Sequence, residues 1–260
     1  MKTFIISHSK IIIKILVGAV WLILWQCAYN AVGVDLLMVS PLTVLRRLSV
    51  LVLEGSFWLI IAGSMGRILL GFFLGLVTGV VIAVLTSRFY TMYEFFSLPL
   101  NIIKATPVAS FVILALVWIR GTNLSVFIAF LMVLPLIWSN MHEGITKVDR
   151  NLLEMAQVYA VKKISILKNI TIPSVLPYFM SALRVGLGFS WKAGIAGEVI
   201  AIPKNAIGTQ LYNSKIYLET PDLFAWTTVI IILSVLIEKF MVFIIDRTTS
   251  RINRIPEVSK

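Results

Sequence analysis

Apolar residues along this chain run in long blocks rather than in alternation with polar ones. Six such blocks fall near residues 11–32, 58–86, 94–118, 124–141, 175–201 and 223–245. A hydrocarbon core about 30 Å thick takes about 20 residues of helix, so each block predicts a transmembrane span. Stretches such as Ile11–Leu24 and Val229–Ile237 lack the in–out alternation of a barrel strand, which argues against a β-barrel. One polar interruption breaks the pattern between Asn151 and Pro177. It gathers Asn151, Glu154, Lys162, Lys163, Lys168 and Asn169, a set that hydrocarbon does not accept.

The interruption has its own periodicity. Asn151 followed three positions later by Glu154 has the form of an N-cap with a reciprocal capping residue, which predicts a short helix from Leu152. Leu152, Met155, Ala156 and Tyr159 fall on one face of it. After a polar turn at Lys162 and Lys163, a second short helix is expected to carry Ile164, Leu167 and Ile170, with Pro173 closing the loop before the fifth span. Apolar faces on short helices in water need a cover, either the underside of the bundle or a soluble partner.

Composition agrees with a membrane setting. Hydrophobic residues make up 59% and charged residues 13%, with a mean hydropathy of +0.96, far from the balance of a water-soluble domain. Trp25 and Gln26 precede the single cysteine, Cys27, where a lipoprotein cleavage site wants small residues, so the first block is read as an uncleaved helix. One cysteine allows no internal disulfide, and His8 and His142 have no spaced partners for a metal. Neither a metal nor another cofactor is expected.

The net charge of +11 is placed for a membrane rather than for nucleic acid. Lys2, Lys10 and Lys14, then Arg88, then the loop from Lys147 to Lys168, then Arg247, Arg251, Arg254 and Lys260 all fall on one side if the spans number six. The positive-inside rule makes that side cytoplasmic, with both termini and the loop 142–174 on it. Arg46, Arg47, Arg120, Lys204 and Lys215 fall on the other side and weaken the bias without reversing it. Ser40-Pro41 to Leu53 is then an extracytoplasmic turn and amphipathic helix. Gly71, Gly75 and Gly79 recur every fourth residue, as do Gly186, Ser190 and Gly194, a spacing that lets helices approach closely. That seam suits packing within one chain better than a dedicated dimer contact. Pro99, Pro107 and Pro135 predict kinks or breaks in or near spans.

Glu154-Met155-Ala156, then Ala160, then Ile172-Pro173 and Pro177 resemble the EAA loop of permease subunits of bacterial ABC importers. The family pattern is Glu-Ala-Ala, three residues, Gly, and a Leu-Pro about a dozen residues later. Here Met155 replaces the first alanine and Ala160 the glycine, which bears on the sharpness of the turn between the two short helices. The resemblance extends from about residue 39 to about 245. Val39-Ser40-Pro41, Gly66-Arg67-Ile68-Leu69-Leu70-Gly71-Phe72, Ala182-Leu183-Arg184-Val185-Gly186-Leu187-Gly188 and Gly197-Glu198 are similar to the branch that imports sulfonates, taurine, nitrate and thiamine precursors.

The resemblance implies an all-α, type I importer permease fold of six spans. Its regions would be an N-terminal span and extracytoplasmic segment (1–57), a permease core with the coupling loop (58–250), and a cytoplasmic tail (251–260). It implies three partners: cytoplasmic ABC ATPase subunits, a second permease chain (most simply another copy, a heterodimer being open), and an external substrate-binding protein. Glu154, Ala156, Tyr159, Ala160 and Pro173 would form the ATPase-coupling segment, Glu154 both capping the helix and meeting the ATPase. The chain contains no G-x-x-x-x-G-K-[ST] phosphate loop, no complete dinucleotide fingerprint and no G-x-S-x-G elbow, so it is expected to be a transporter subunit driven by another chain's ATP hydrolysis.

For the substrate pathway the candidates are Trp138, Arg184, Trp191, Lys192 and Glu198. Intramembrane charge is costly and faces protein or a water-filled cavity. Arg184 or Lys192 attracting an anion is one reading. Arg184 and Glu198 snorkelling to opposite edges is the other. Trp138 and Trp191 either stack on an aromatic cargo or serve packing. A secondary transporter and a membrane-embedded enzyme are the rival classes. The first should show repeated halves with broken helices, and the second a cluster of catalytic side chains.

Overall fold

The computed structural model describes the backbone of residues 2–252 and the side chains of residues 12–243 and Arg247. Arg254 and Lys260, and the side chains of Lys2, His8, Lys10 and Arg251, lie outside the described residues, so the expected tail 251–260 falls largely outside them too. Every regular element among the described residues is a helix. In order they form α1 (Lys2–Val32), α2 (Pro41–Leu51), α3 (Gly55–Arg88), α4 (Tyr90–Ala105), α5 (Val108–Ala115), α6 (Gly121–Thr146), α7 (Arg150–Val158), α8 (Lys163–Ile166), a π-helical turn (Leu167–Thr171), α9 (Ile172–Ala201), α10 (Ile207–Ile216) and α11 (Thr220–Ile252). Five of these helices are long and apolar enough to cross a membrane, and six spans result if α4 and α5 count as one.

The chain divides into two units, Met1–Leu59 with Gln210–Ile230, and Ile60–Thr209 with Ile231–Lys260. In the first, Ser40 caps α2 by accepting from the Thr43 amide, and Pro41 occupies the first turn, where its missing N–H costs nothing. Arg47 of α2 forms a two-point ion pair with Asp222, its Nη2 at 2.8 Å from Oδ2. The carboxylate raises that guanidinium's pKa, so the cation persists at any physiological pH. Trp25 donates to the Val39 carbonyl and stacks on Phe224, and Thr220 donates to the Leu36 carbonyl.

In the second unit the core lies along α6 and α9, with Phe72, Val133, Ile137, Trp138, Val175, Leu183 and Leu187 buried together. Glycines of α3 set the approach to α6. A Cβ at Gly75 would stand 2.9 Å from that of Val133, and one at Gly79 2.9 Å from that of Ile137, while at Gly71 it would run into the Val126 carbonyl. Gly194 is likewise filled by Ile68, whereas Gly186 leaves an ordinary 3.5 Å to Leu136.

The third expected block, 94–118, is not one helix. It splits at Thr106-Pro107 into α4 and α5, bent by 104°. Pro107 disfavours helical geometry at the residue before it, and Thr106 is accordingly extended (φ −85°, ψ 133°). The fifth block departs in the opposite sense. The expected second loop helix and the fifth span are joined, since α8, the π turn and α9 form one 39-residue helix from Lys163 to Ala201. Pro173 therefore does not close the loop. It sits in the first turn of α9, and the Ile172 amide reaches back five residues to the Leu167 carbonyl. The wide turn absorbs the donor that proline lacks.

Candidate functional site

The polar interruption folds as α7, a tight turn, and α8. Its N-cap is Asp149 rather than Asn151. The Asp149 side chain accepts from the Asn151 amide at 2.8 Å, placing Asn151 inside the first turn as a capped donor. Glu154 is exposed and makes no cap, because the carboxylate two positions before Asn151 already serves the orphan amides. Just upstream, Glu143 pairs with Lys147 at 2.5 Å and raises the pKa of that ammonium.

The turn after α7 is a Schellman motif. The Val161 amide bonds the Ala156 carbonyl and the Ala160 amide bonds the Gln157 carbonyl, both at 2.9 Å, with Ala160 left-handed at φ +49°. Ala160 thus stands where glycine is favoured, and the sharp turn forms despite its Cβ. The strain of a non-glycine residue there is of order 1 kcal/mol.

The two faces of this segment have different neighbours. Leu153, Ile170 and the fully enclosed Ala156 face their own unit, with Leu153 and Ile170 packed against its core. Ala156 is therefore small enough for packing within its own unit. Leu152, Met155, Val158 and Tyr159 point outward, the last two 82% and 76% exposed, and Ile164 and Leu167 continue the apolar surface. Lys162, Lys163 and Lys168 border it.

The intramembrane candidates do not form one cluster. Glu198 is fully buried, which rules out snorkelling. Its Oε1 accepts from Arg67 Nη2 at 2.8 Å, and its Oε2 from Ser64 Oγ at 2.7 Å and from the Gly208 amide at 3.2 Å. Ser64 in turn accepts from the Ile207 amide at 2.9 Å, so Glu198 and Ser64 together satisfy the start of α10. Arg67 also donates to the Asn205 carbonyl at 2.9 Å, fixing a corner in which Ile202 and Asn205 are both left-handed. Arg67 stands in one of the family-like motifs, and no local pattern pairs it with Glu198. The available signal was that an arginine and a glutamate in hydrocarbon blocks rarely stay apart.

Trp138 is buried and donates to Thr86 Oγ1 at 3.0 Å. Tyr93 stacks on His142 beside it, and the Lys104 ammonium lies 5.5 Å from the Trp138 ring centroid. Trp191 is buried as well, with its indole N–H unpartnered among the described residues. Arg184 and Lys192 behave differently. Both are exposed, they lie eight residues apart with Gly188 between them on one stripe of α9, and no carboxylate pairs with either among the described residues.

The model of the family "binding-protein-dependent transport system inner membrane component" matches residues 71–254. The nitrate import permease protein of Synechocystis sp. is 26% identical, the match covering 92% of this chain and 90% of that one. The taurine transport system permease protein of Escherichia coli is 22% identical over 82% of this chain and 80% of its own. A methionine ABC transporter solved in inward-facing conformations shares the fold, with a TM-score of 0.61 at 17% identity, covering 77% of this chain and 99% of that one. The chain belongs to the binding-protein-dependent transport system inner membrane components, and is a multi-pass permease subunit of an ABC importer.

Proposed function

We propose that the outward apolar face of α7 and α8 seats a cytoplasmic ABC ATPase, and that α9 passes the motion of that subunit to a translocation pathway. The observation that carries this is the uncovered set Leu152, Met155, Val158 and Tyr159 on a segment whose other face is already packed. Membership in the family supports an ATPase as that cover, since it implies ATPase and substrate-binding protein partners, and it favours this reading over a secondary transporter independent of ATP. Glu154 and the turn at Ala160 belong to the same contact, and Pro173 lies where the segment enters α9. The charge bias supports placing this segment and both termini in the cytoplasm.

The pathway runs along the exposed stripe of α9 that carries Arg184 and Lys192, opposite a second permease chain. Unpaired cations at membrane depth require water or a counter-charge, which a lipid-facing surface does not provide. Nitrate and the sulfonate end of taurine, named for the two relatives, are both oxyanions, so the cargo is taken to be a small oxyanion delivered by an external binding protein.

The test is co-expression of the permease with its ATPase. Met155→Arg and Glu154→Arg should leave the chain inserted with an unchanged thermal midpoint while removing ATPase co-purification and ATP-driven uptake. Burying Met155 is worth about 1.5–3 kcal/mol, so its loss weakens docking by roughly 10- to 100-fold. Normal co-purification of both variants would sink the assignment.

A further inference from the structure

The bend between α4 and α5 opens on a cavity of about 480 Å³. Lys104 and Thr106 enter it from the bend, Met132, Pro135 and Ser139 from α6, and Phe189 from α9. Its volume lies within the range of small-molecule sites, about 300–1,000 Å³. Lys104 is exposed at the bend, and its ammonium stands over the ring of the buried Trp138. Contact with the indole ring stabilises the ammonium without neutralising it. Every ion pair among the described residues is elsewhere, and no carboxylate lines the cavity.

The remaining polar groups suit an anion. Thr106 and Ser139 now donate to carbonyls of the preceding turn, Ile102 at 2.8 Å and Leu136 at 3.3 Å. A hydroxyl turns readily to another acceptor, and both can offer their protons to a ligand. Phe189 is exposed and stands three residues before Lys192, its neighbour on the surface of α9.

We propose that this cavity is a transient binding site for a small oxyanion, a sulfonate or nitrate, held by the Lys104 ammonium with the Thr106 and Ser139 hydroxyls. Met132, Pro135 and Phe189 accept a short apolar tail. The site rests on the pathway reading above and adds to it a specific residue and place. One lysine in a cavity open on one side binds weakly, as a pathway requires, since a ligand that must move on cannot be held tightly.

The experiment uses the full chain in lipid nanodiscs without ATPase or nucleotide. Cys27, the lone cysteine, is replaced (Cys27→Ser) and Ser139→Cys introduced. Labelling rates are measured with anionic methanethiosulfonate ethylsulfonate and with its cationic trimethylammonium counterpart, each relative to a free thiol. The anionic reagent should react at least tenfold faster in relative rate, and sodium methanesulfonate should slow it several-fold. Lys104→Gln should abolish the preference and Lys104→Arg should keep it. Equal relative rates, no labelling by either reagent, or a preference that survives Lys104→Gln overturns the proposal. Because no ATPase is present, failure of the docking assay above leaves this result intact, and the reverse also holds.

Discussion

Removing the arginine that faces Glu198 tests the buried latch most directly. Arg67→Met leaves a carboxylate with no exposed surface and only the Ser64 hydroxyl and Gly208 amide as donors. Stranding a buried charge in this way costs about 3–5 kcal/mol. At about 2–4 °C per kcal/mol for a chain of this order of size, the midpoint should fall by roughly 6–20 °C. Glu198→Gln keeps the shape and removes the charge, and should cost about 1–3 kcal/mol, since Arg67 is partly exposed and keeps its bond to Asn205. The double variant strands neither charge, so its loss should fall short of the sum by about 2 kcal/mol. Size-exclusion of a fluorescently tagged chain after heating in detergent gives all four midpoints. A midpoint for Arg67→Met within 2 °C of the parent, on the scale just given, or strict additivity across the cycle, refutes the reasoning.

Two further outcomes concern the loop, read by the same melting assay. Ala160→Gly removes a Cβ from a left-handed position, and should raise stability by up to about 1 kcal/mol, the relief of strain exceeding the added chain entropy. An unchanged or lower midpoint counts against strain at that turn. Asp149→Ala should cost about 1 kcal/mol through the lost cap while Asn151→Ala stays near neutral, and the reverse order would restore Asn151 as the cap.

Long apolar blocks announced the helices because a bilayer demands length and composition together, and both are written in sequence. The break at Pro107 was also visible, since proline constrains the residue before it. Fusion of the loop helix with α9 was not, because a proline in a first turn looks the same whether a helix starts there or merely continues through a π turn. The capping residue was misplaced for a similar reason: Asp149 and Asn151 are equally competent caps, and only the chain's path off α6 decides between them. Partners far apart in sequence, Arg67 with Glu198 and Thr86 with its neighbours on α6, follow from packing that no local pattern encodes. The outward apolar face of α7 was recoverable from periodicity, whereas the inward turn of Ala156 depended on where the unit's core lies.

On the proposed docking, the continuous helix from Lys163 to Ala201 would work as a lever. Its loop end and Glu198 are separated by about 52 Å at ~1.5 Å per residue. With Glu198 bolted to Arg67 and Ser64, the far end becomes a fulcrum and the loop a handle. A tilt of about 5° then carries the handle through roughly 5 Å at that radius. Side chains halfway along, Arg184 among them, travel only a fraction of that distance, so a coarse push at the surface arrives at the middle of the membrane geared down to a fine adjustment.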